Sequence, residues 1–331
     1  MDFRLTDDQV ALRDSVEAFS QAKLAAGALE RAHSSEYPWD VARMLAEQGL
    51  IGLTIAEEKG GQGASLTEAV VAIQSVATSC PRSADVVQAG NFGAIRTFAE
   101  YASDEQRERF LPQLLAGETL IGLGMTEPDA GSAVTDLATS ATPRGDGYVI
   151  NGSKIFSTHS VEATVFLVYV RFGPGVGGIG SVLVERGTDG LTVGQPSSFM
   201  NGEHWCQLYF EDCYIPRENV LLGEGGFKKQ ITGFNVERIG NAARSIALGR
   251  YAFTEAKEHA KVREQFGRPL CEFQGLQWMF AEAAVNSSPR SCCCSVRPLR
   301  RTAGCPPVST PRSQSWPRTR PGTTPRTWPS R

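Results

Sequence analysis

The segment GLGMTEPDAGS, Gly122–Ser132, decides how this 331-residue chain is organised. Before it, apolar residues recur at helical spacing. After it come short runs rich in β-branched and aromatic residues, broken by Gly and Pro. The segment crowds hydroxyls, backbone amides and glycines into a Pro-containing loop, which can turn N–H groups toward an anionic or carbonyl-rich ligand. Junctions between domains are favoured ligand sites. A plain connector is the alternative reading of the segment taken alone.

Upstream, TDDQ at Thr6–Gln9 fits a capping box, followed by apolar positions Val10, Leu12, Val16 and Phe19. PWDVARMLAEQGLIGL reads as a helix with Pro38 near its start and Gly49 at its end. SLTEAVVAIQSVATSC is almost wholly apolar and predicts a buried helix. NFGAIRTFAEYA follows, then SDEQRERFLPQLLAGE with a capping box from Ser103 to Gln106. Downstream, YVINGSKIFSTHS, TVFLVYVRF, GSVLVERG, LTVGQP and WCQLYFEDCYIP read as strands without intervening helices. They predict an antiparallel sandwich or barrel. KKQITGFNVERIGNAARSIALGRYAFTEAKEHAKVREQF returns to helix, GRPLCEF turns at Pro269, and QGLQWMFAEAAV starts another helix. The expected fold class is α+β and multi-domain. Residues 1–121 form an all-α domain, 122–224 an antiparallel β domain and 225–285 the start of a truncated C-terminal helical bundle.

Residues 286–331 differ in kind. They hold nine Arg, nine of the 18 Pro and four of the eight Cys, and no Lys, Asp or Glu. The net charge of −3 therefore conceals a first 285 residues at −12. Such an acidic body excludes nucleic acid as its natural partner. The tail has too few apolar residues to offset chain entropy and is expected to be disordered. Cys80, Cys206, Cys213 and Cys271 are scattered, and Cys292–Cys294 have no partner cluster, so neither a zinc site nor a disulfide framework is indicated. MDFRLTDDQ is not a signal or transit peptide and no apolar run reaches membrane-spanning length, which predicts a cytoplasmic protein.

GPGVGG, Gly173–Gly178, matches a dinucleotide fingerprint, but a strand follows where a helix is required, so it reads as a hairpin loop. In INGSKIFSTHS, Ile150–Ser160, Phe156, Ser157 and Thr158 could set an aromatic face and a hydroxyl against a flat ring. Core packing is the alternative for Phe156.

TEPDAGS, NGSKIFSTHS, FMNGEHWCQLYFEDCYIPRENVLLGEGGF, ERIGNAARSIALG and KVREQFGRPLCEFQGLQW occur in the order and spacing of the acyl-CoA dehydrogenase family, which residues 1 to about 285 resemble. The resemblance implies FAD between the β domain and a four-helix bundle. Its ring would be held by Leu123, Gly124, Met125, Thr126 and Ser132 on one side and Phe156, Ser157 and Thr158 on the other. Thr126 and Thr158 would hydrogen-bond the ring. Ser132, Asn235 and Arg238 would contact the acyl-CoA. Arg263, Phe266 and Gln274 would reach FAD, often that of a neighbouring subunit in a homo-tetramer or dimer. The implied acceptor is an electron-transfer flavoprotein.

The implied chemistry removes an α-proton with a carboxylate, worth on the order of 10²–10⁴-fold, and passes the β-hydrogen as hydride to flavin. Most members take the base from a late bundle Glu, beyond Val285 here. A minority take it from the position of Glu237, just before Arg238; a helix-surface acid is the alternative. The chain departs from the pattern at Ala133, Phe156 and His159. Relatives continue with something like ELESAQLLLF. Back-translating VNSSPRSCCCSVRP with G/C-rich codons and reading two bases on gives ELESAQLLLFGAA, so the tail reads as out-of-frame translation that impairs the enzyme. Two other functions stay open: a flavin-dependent oxidase or monooxygenase, and a non-catalytic product without flavin.

Overall fold

The structure of the chain, a computed structural model, describes residues 4–200 and 202–285. The tail of residues 286–331, with its Cys292–Cys294 run and its frame-shifted reading, lies outside the described residues. Seven helices come first: α1 (Asp7–Lys23), α2 (Ala28–His33), α3 (Trp39–Glu47), α4 (Leu66–Ala77), α5 (Pro81–Ala89), α6 (Ala94–Tyr101) and α7 (Asp104–Leu115). Capping boxes open α1 at Thr6 and α7 at Ser103, as the sequence predicts, and a third opens α4 at Ser65. Nearly all of α4 is buried, which is why it lacks a polar face. The sequence reading did not resolve α5; its signal is Pro81 in the first turn, where the missing N–H costs nothing.

Nine strands then form one sheet in the order β6-β8-β3-β2-β4-β5-β9. These are β2 (Ser140–Arg144), β3 (Gly147–Thr158), β4 (Ala163–Arg171), β5 (Ile179–Glu185), β6 (Leu191–Val193), β8 (His204–Pro216) and β9 (Val220–Leu222), with β1 (Leu120–Gly124) on β4 and β7 (Ser197–Ser198) on β8. Pairing is antiparallel except where β1 runs parallel to β4 and β2 touches β4 at one parallel pair. GPGVGG connects the antiparallel pair β4–β5, as a hairpin loop should. Alternation along β4 divides the core. Val165, Leu167 and Tyr169 pack with Phe98, Leu111 and Leu114 of the helices, while Phe166, Val168 and Val170 pack with Ile150, Leu208 and Phe210 inside the β domain.

Helix α8 (Phe227–Val262) follows, then a small hairpin of β10 (Glu264–Gln265) and β11 (Arg268–Pro269), and a helix, α9, over residues 274–285. The first half of α8 joins the helical core through Val236, Ile239, Ala243 and Ala247. Farther on, Leu248, Val262, Trp278 and Met279 are exposed. The apolar face expected to need bundle partners is thus uncovered among the described residues. No helix of the described residues is long and apolar enough to cross a membrane.

Candidate active site

The loop after β1 is fixed by a buried ion pair. Lys154 Nζ donates to Glu127 Oε1 at 2.7 Å and to the Met125 carbonyl at 3.3 Å. Glu127 also accepts the backbone amides of Ala138 and Thr139, at 2.6 and 2.9 Å. Burial pushes the Glu127 carboxyl up, but Lys154 and the amides together hold it below its ordinary value. Burial lowers Lys154 to about 8. The Ile155 amide donates to the Thr126 carbonyl at 2.8 Å. Met125–Glu127 are therefore clamped against Lys154–Ile155, which brings the two predicted flavin segments together.

Phe156 and His159 flank the end of β3 with left-handed backbones, φ 56° and 60°. Phe156 remains 50% exposed, so core packing is not its role. Ser157 turns inward and donates to the Leu123 carbonyl at 2.9 Å, leaving only its main chain for a ligand. The hydroxyls of Thr126 and Thr158 donate to no group among the described residues. An exposed aromatic face beside two available hydroxyls fits a flat ring rich in acceptors, as an isoalloxazine is.

Glu237 is not a surface acid. Its Oε1 accepts Gln88 Nε2 at 2.5 Å, and its Oε2 is buried without a partner. Space for that oxygen exists because Gly93 lacks a side chain: a Cβ there would lie 2.8 Å from Oε2. Burial raises the Glu237 carboxyl to about 7, against the opposing pull of Gln88, Arg244 and Asn241. A carboxyl poised there suits proton abstraction at neutral pH.

Sequence reasoning missed the surroundings of Glu237. Gln230, Glu237 and Arg244 recur every seven residues and share one face of α8. Gln230 is fully buried with both amide atoms unpartnered. Arg244 meets Glu203 at 3.0 Å and Asp85 at 3.3 Å, and Arg82 meets the same two carboxylates at 3.6 and 3.5 Å. Burial raises Asp85 to about 6 and lowers His159 to about 4. This network ties α5 and α8 to the segment before β8 that carries Glu203. The heptad spacing of polar residues was the available signal.

Other expected residues lie apart. Ser132 is exposed on the loop after Glu127, and Asn235 and Arg238 are exposed on another side of α8 from Glu237. Arg263, Phe266 and Gln274 sit at the far end of α8 and in the segment after it, with Phe266 93% exposed. An open cavity of about 410 Å³ between α4, α6 and α8, lined by Ser65, Arg96, Thr97, Tyr101 and Thr232, includes none of the predicted residues. Among the described residues no cluster could hold a metal ion.

Family comparisons cover most of the chain. Residues 6–118 match the acyl-CoA dehydrogenase N-terminal domain, 122–213 the middle domain and 224–290 the C-terminal domain. A short-chain-specific acyl-CoA dehydrogenase of Clostridium acetobutylicum is 32% identical over 290 residues, which is 86% of this chain and 76% of that protein. The structure of butyryl-CoA dehydrogenase from Megasphaera elsdenii superposes with a TM-score of 0.83 at 30% identity, covering 92% of this chain and 82% of that one. A chain from the electron-transferring flavoprotein study of Acidaminococcus fermentans gives 0.85 at 30% identity, with 92% and 82% covered.

Proposed function

Because the chain belongs to the acyl-CoA dehydrogenase family, we propose that it desaturates an acyl-CoA thioester between its α and β carbons, with Glu237 as the base. The observation that carries the role of Glu237 is its carboxylate: buried, raised to about 7, and with one oxygen unpartnered. Oε2 takes the α-proton. Gln88 holds Oε1 and so fixes the direction from which Oε2 approaches. Deprotonated Glu237 is favoured above neutral pH, and the nearby Arg244 supports its charge.

FAD, when bound, supplies the hydride acceptor. Phe156 would present the face for its ring, Thr126 and Thr158 would donate to it, and Leu123, Gly124, Met125 and Ser157 would approach it through their backbone. Ser132, Asn235 and Arg238 are assigned to the CoA portion of the substrate. Arg263, Phe266 and Gln274 are assigned to flavin held across a subunit interface in a homo-oligomer. An electron-transfer flavoprotein is the proposed acceptor, in keeping with the electron-transferring flavoprotein study to which the similar Acidaminococcus fermentans chain belongs. The described cysteines are unpaired, which suits a reducing cytoplasm.

The test is an anaerobic visible spectrum of the purified 331-residue protein before and after a mixture of acyl-CoAs. Flavin bands that bleach are expected, with bleaching abolished by Glu237→Gln. Bands that persist with every acyl-CoA, or bleach equally in the variant, would refute the assignment.

A further inference from the structure

Two aromatic rings packed against Phe156, those of Trp205 and Phe199, belong to no part of the mechanism above. β3 and β8 pair so that Ser157 lies opposite Cys206 and Thr158 opposite Trp205. Ser157 and Cys206 are both buried. Side chains alternate along a strand, so Thr158 and Trp205 share the opposite face. The register shifts between Lys154 and Ser157, and an irregularity of this kind re-aims a side chain. It brings Phe156 to the same place: its ring centroid lies 4.7 Å from that of Trp205, tilted by 57°. Phe199 stands 6.3 Å from Phe156 and 6.1 Å from Trp205, bracing both.

We propose that Trp205 is a flavin-contacting residue, forming with Phe156 one aromatic wall against the isoalloxazine ring. The inference rests on the flavin reading above. Tilted and offset aromatic arrangements are the favoured ones, and Phe156 still offers half of its surface to an occupant. A flat, electron-poor ring that engages Phe156 and the Thr158 hydroxyl lies within reach of the indole directly across the strand pair. The indole adds an electron-rich face where Phe156 alone would give a smaller one.

The test uses the full chain loaded with FAD and reads flavin emission and the FAD dissociation constant. An indole in contact with a flavin quenches its emission, so Trp205→Phe is expected to brighten bound flavin severalfold. Trp205→Ala is expected to raise Kd about tenfold, the size of one aromatic contact. Trp205→Phe keeps a ring in the cluster and guards against a mere folding failure. Trp39→Phe, in the helical domain, is the control that should leave emission unchanged. If wild type and both Trp205 variants bind FAD alike, with equally quenched emission, this inference fails while the flavin reading stands. If the wild-type chain binds no FAD, both fail.

Discussion

Replacing Glu237 by Gln should make the protein more stable, by an amount that grows as pH rises from about 4.5 and is complete above about 7. Burial holds this carboxyl at about 7 against an ordinary 4.5. Between those values the folded state binds a proton that the unfolded state has released, so stability falls as pH rises through the window. The cost is fully present above pH 7. At ~1.4 kcal/mol per unit of pKa, it comes to about 3 kcal/mol. Gln is isosteric and can present its amide oxygen to Gln88, so the variant keeps the contact and loses the charge. Urea denaturation of wild type and variant near pH 4.5 and near pH 8 isolates the effect, because Asp85 and His159 titrate in both proteins. The two curves should nearly coincide at the lower pH, with the variant more stable at the higher by up to that amount. Equal midpoints at both pH values would mean that the carboxylate is solvated or otherwise satisfied, and the argument for a poised base would go with it.

The same displacement predicts that kcat/KM for acyl-CoA rises with pH to a plateau above about 7; a flat profile between pH 5.5 and 8.5 would assign the base elsewhere. Lys154→Met should cost about 3–5 kcal/mol in urea denaturation, since it leaves the Glu127 carboxylate buried without its cation. A loss below 1 kcal/mol would contradict the clamp. Gly93→Ala should lower stability by about 1–3 kcal/mol, because the residue sits at φ +69°. It should also slow flavin bleaching by displacing Glu237 Oε2, and an unchanged rate would show that the oxygen needs no such slot.

Much of this was legible in the chain. Thr6 and Ser103 announced their helices because a capping box is local chemistry, complete within four residues. The switch of period at Gly122 separated helix from strand because both periodicities are properties of single elements. What could not be read depends on contacts distant in sequence. Gln88 and Glu237 meet across 149 positions, and nothing near either residue records the other. The parallel pairing of β1 with β4 hides in the same way, since an apolar strand looks alike in either direction. Trp205 went unnoticed because its relation to Phe156 arises from a register shift in β3. The heptad of Gln230, Glu237 and Arg244 was visible, but an amphipathic helix normally hides its apolar stripe, and buried polar stripes invite the opposite reading.

The length of α8 carries a consequence for assembly. From Glu237, the proposed base, to Arg263 at the C-cap of α8, a rise of ~1.5 Å per residue makes about 39 Å. That distance is too great for Arg263 to reach, within one chain, a flavin seated beside Glu237. If Arg263, Phe266 and Gln274 serve flavin at all, each flavin site is shared between two molecules. Cofactor retention then follows mass action in protein as well as in FAD. Dilution alone would bleed the yellow colour from the protein, and occupancy measured against concentration would report the association constant of the subunits.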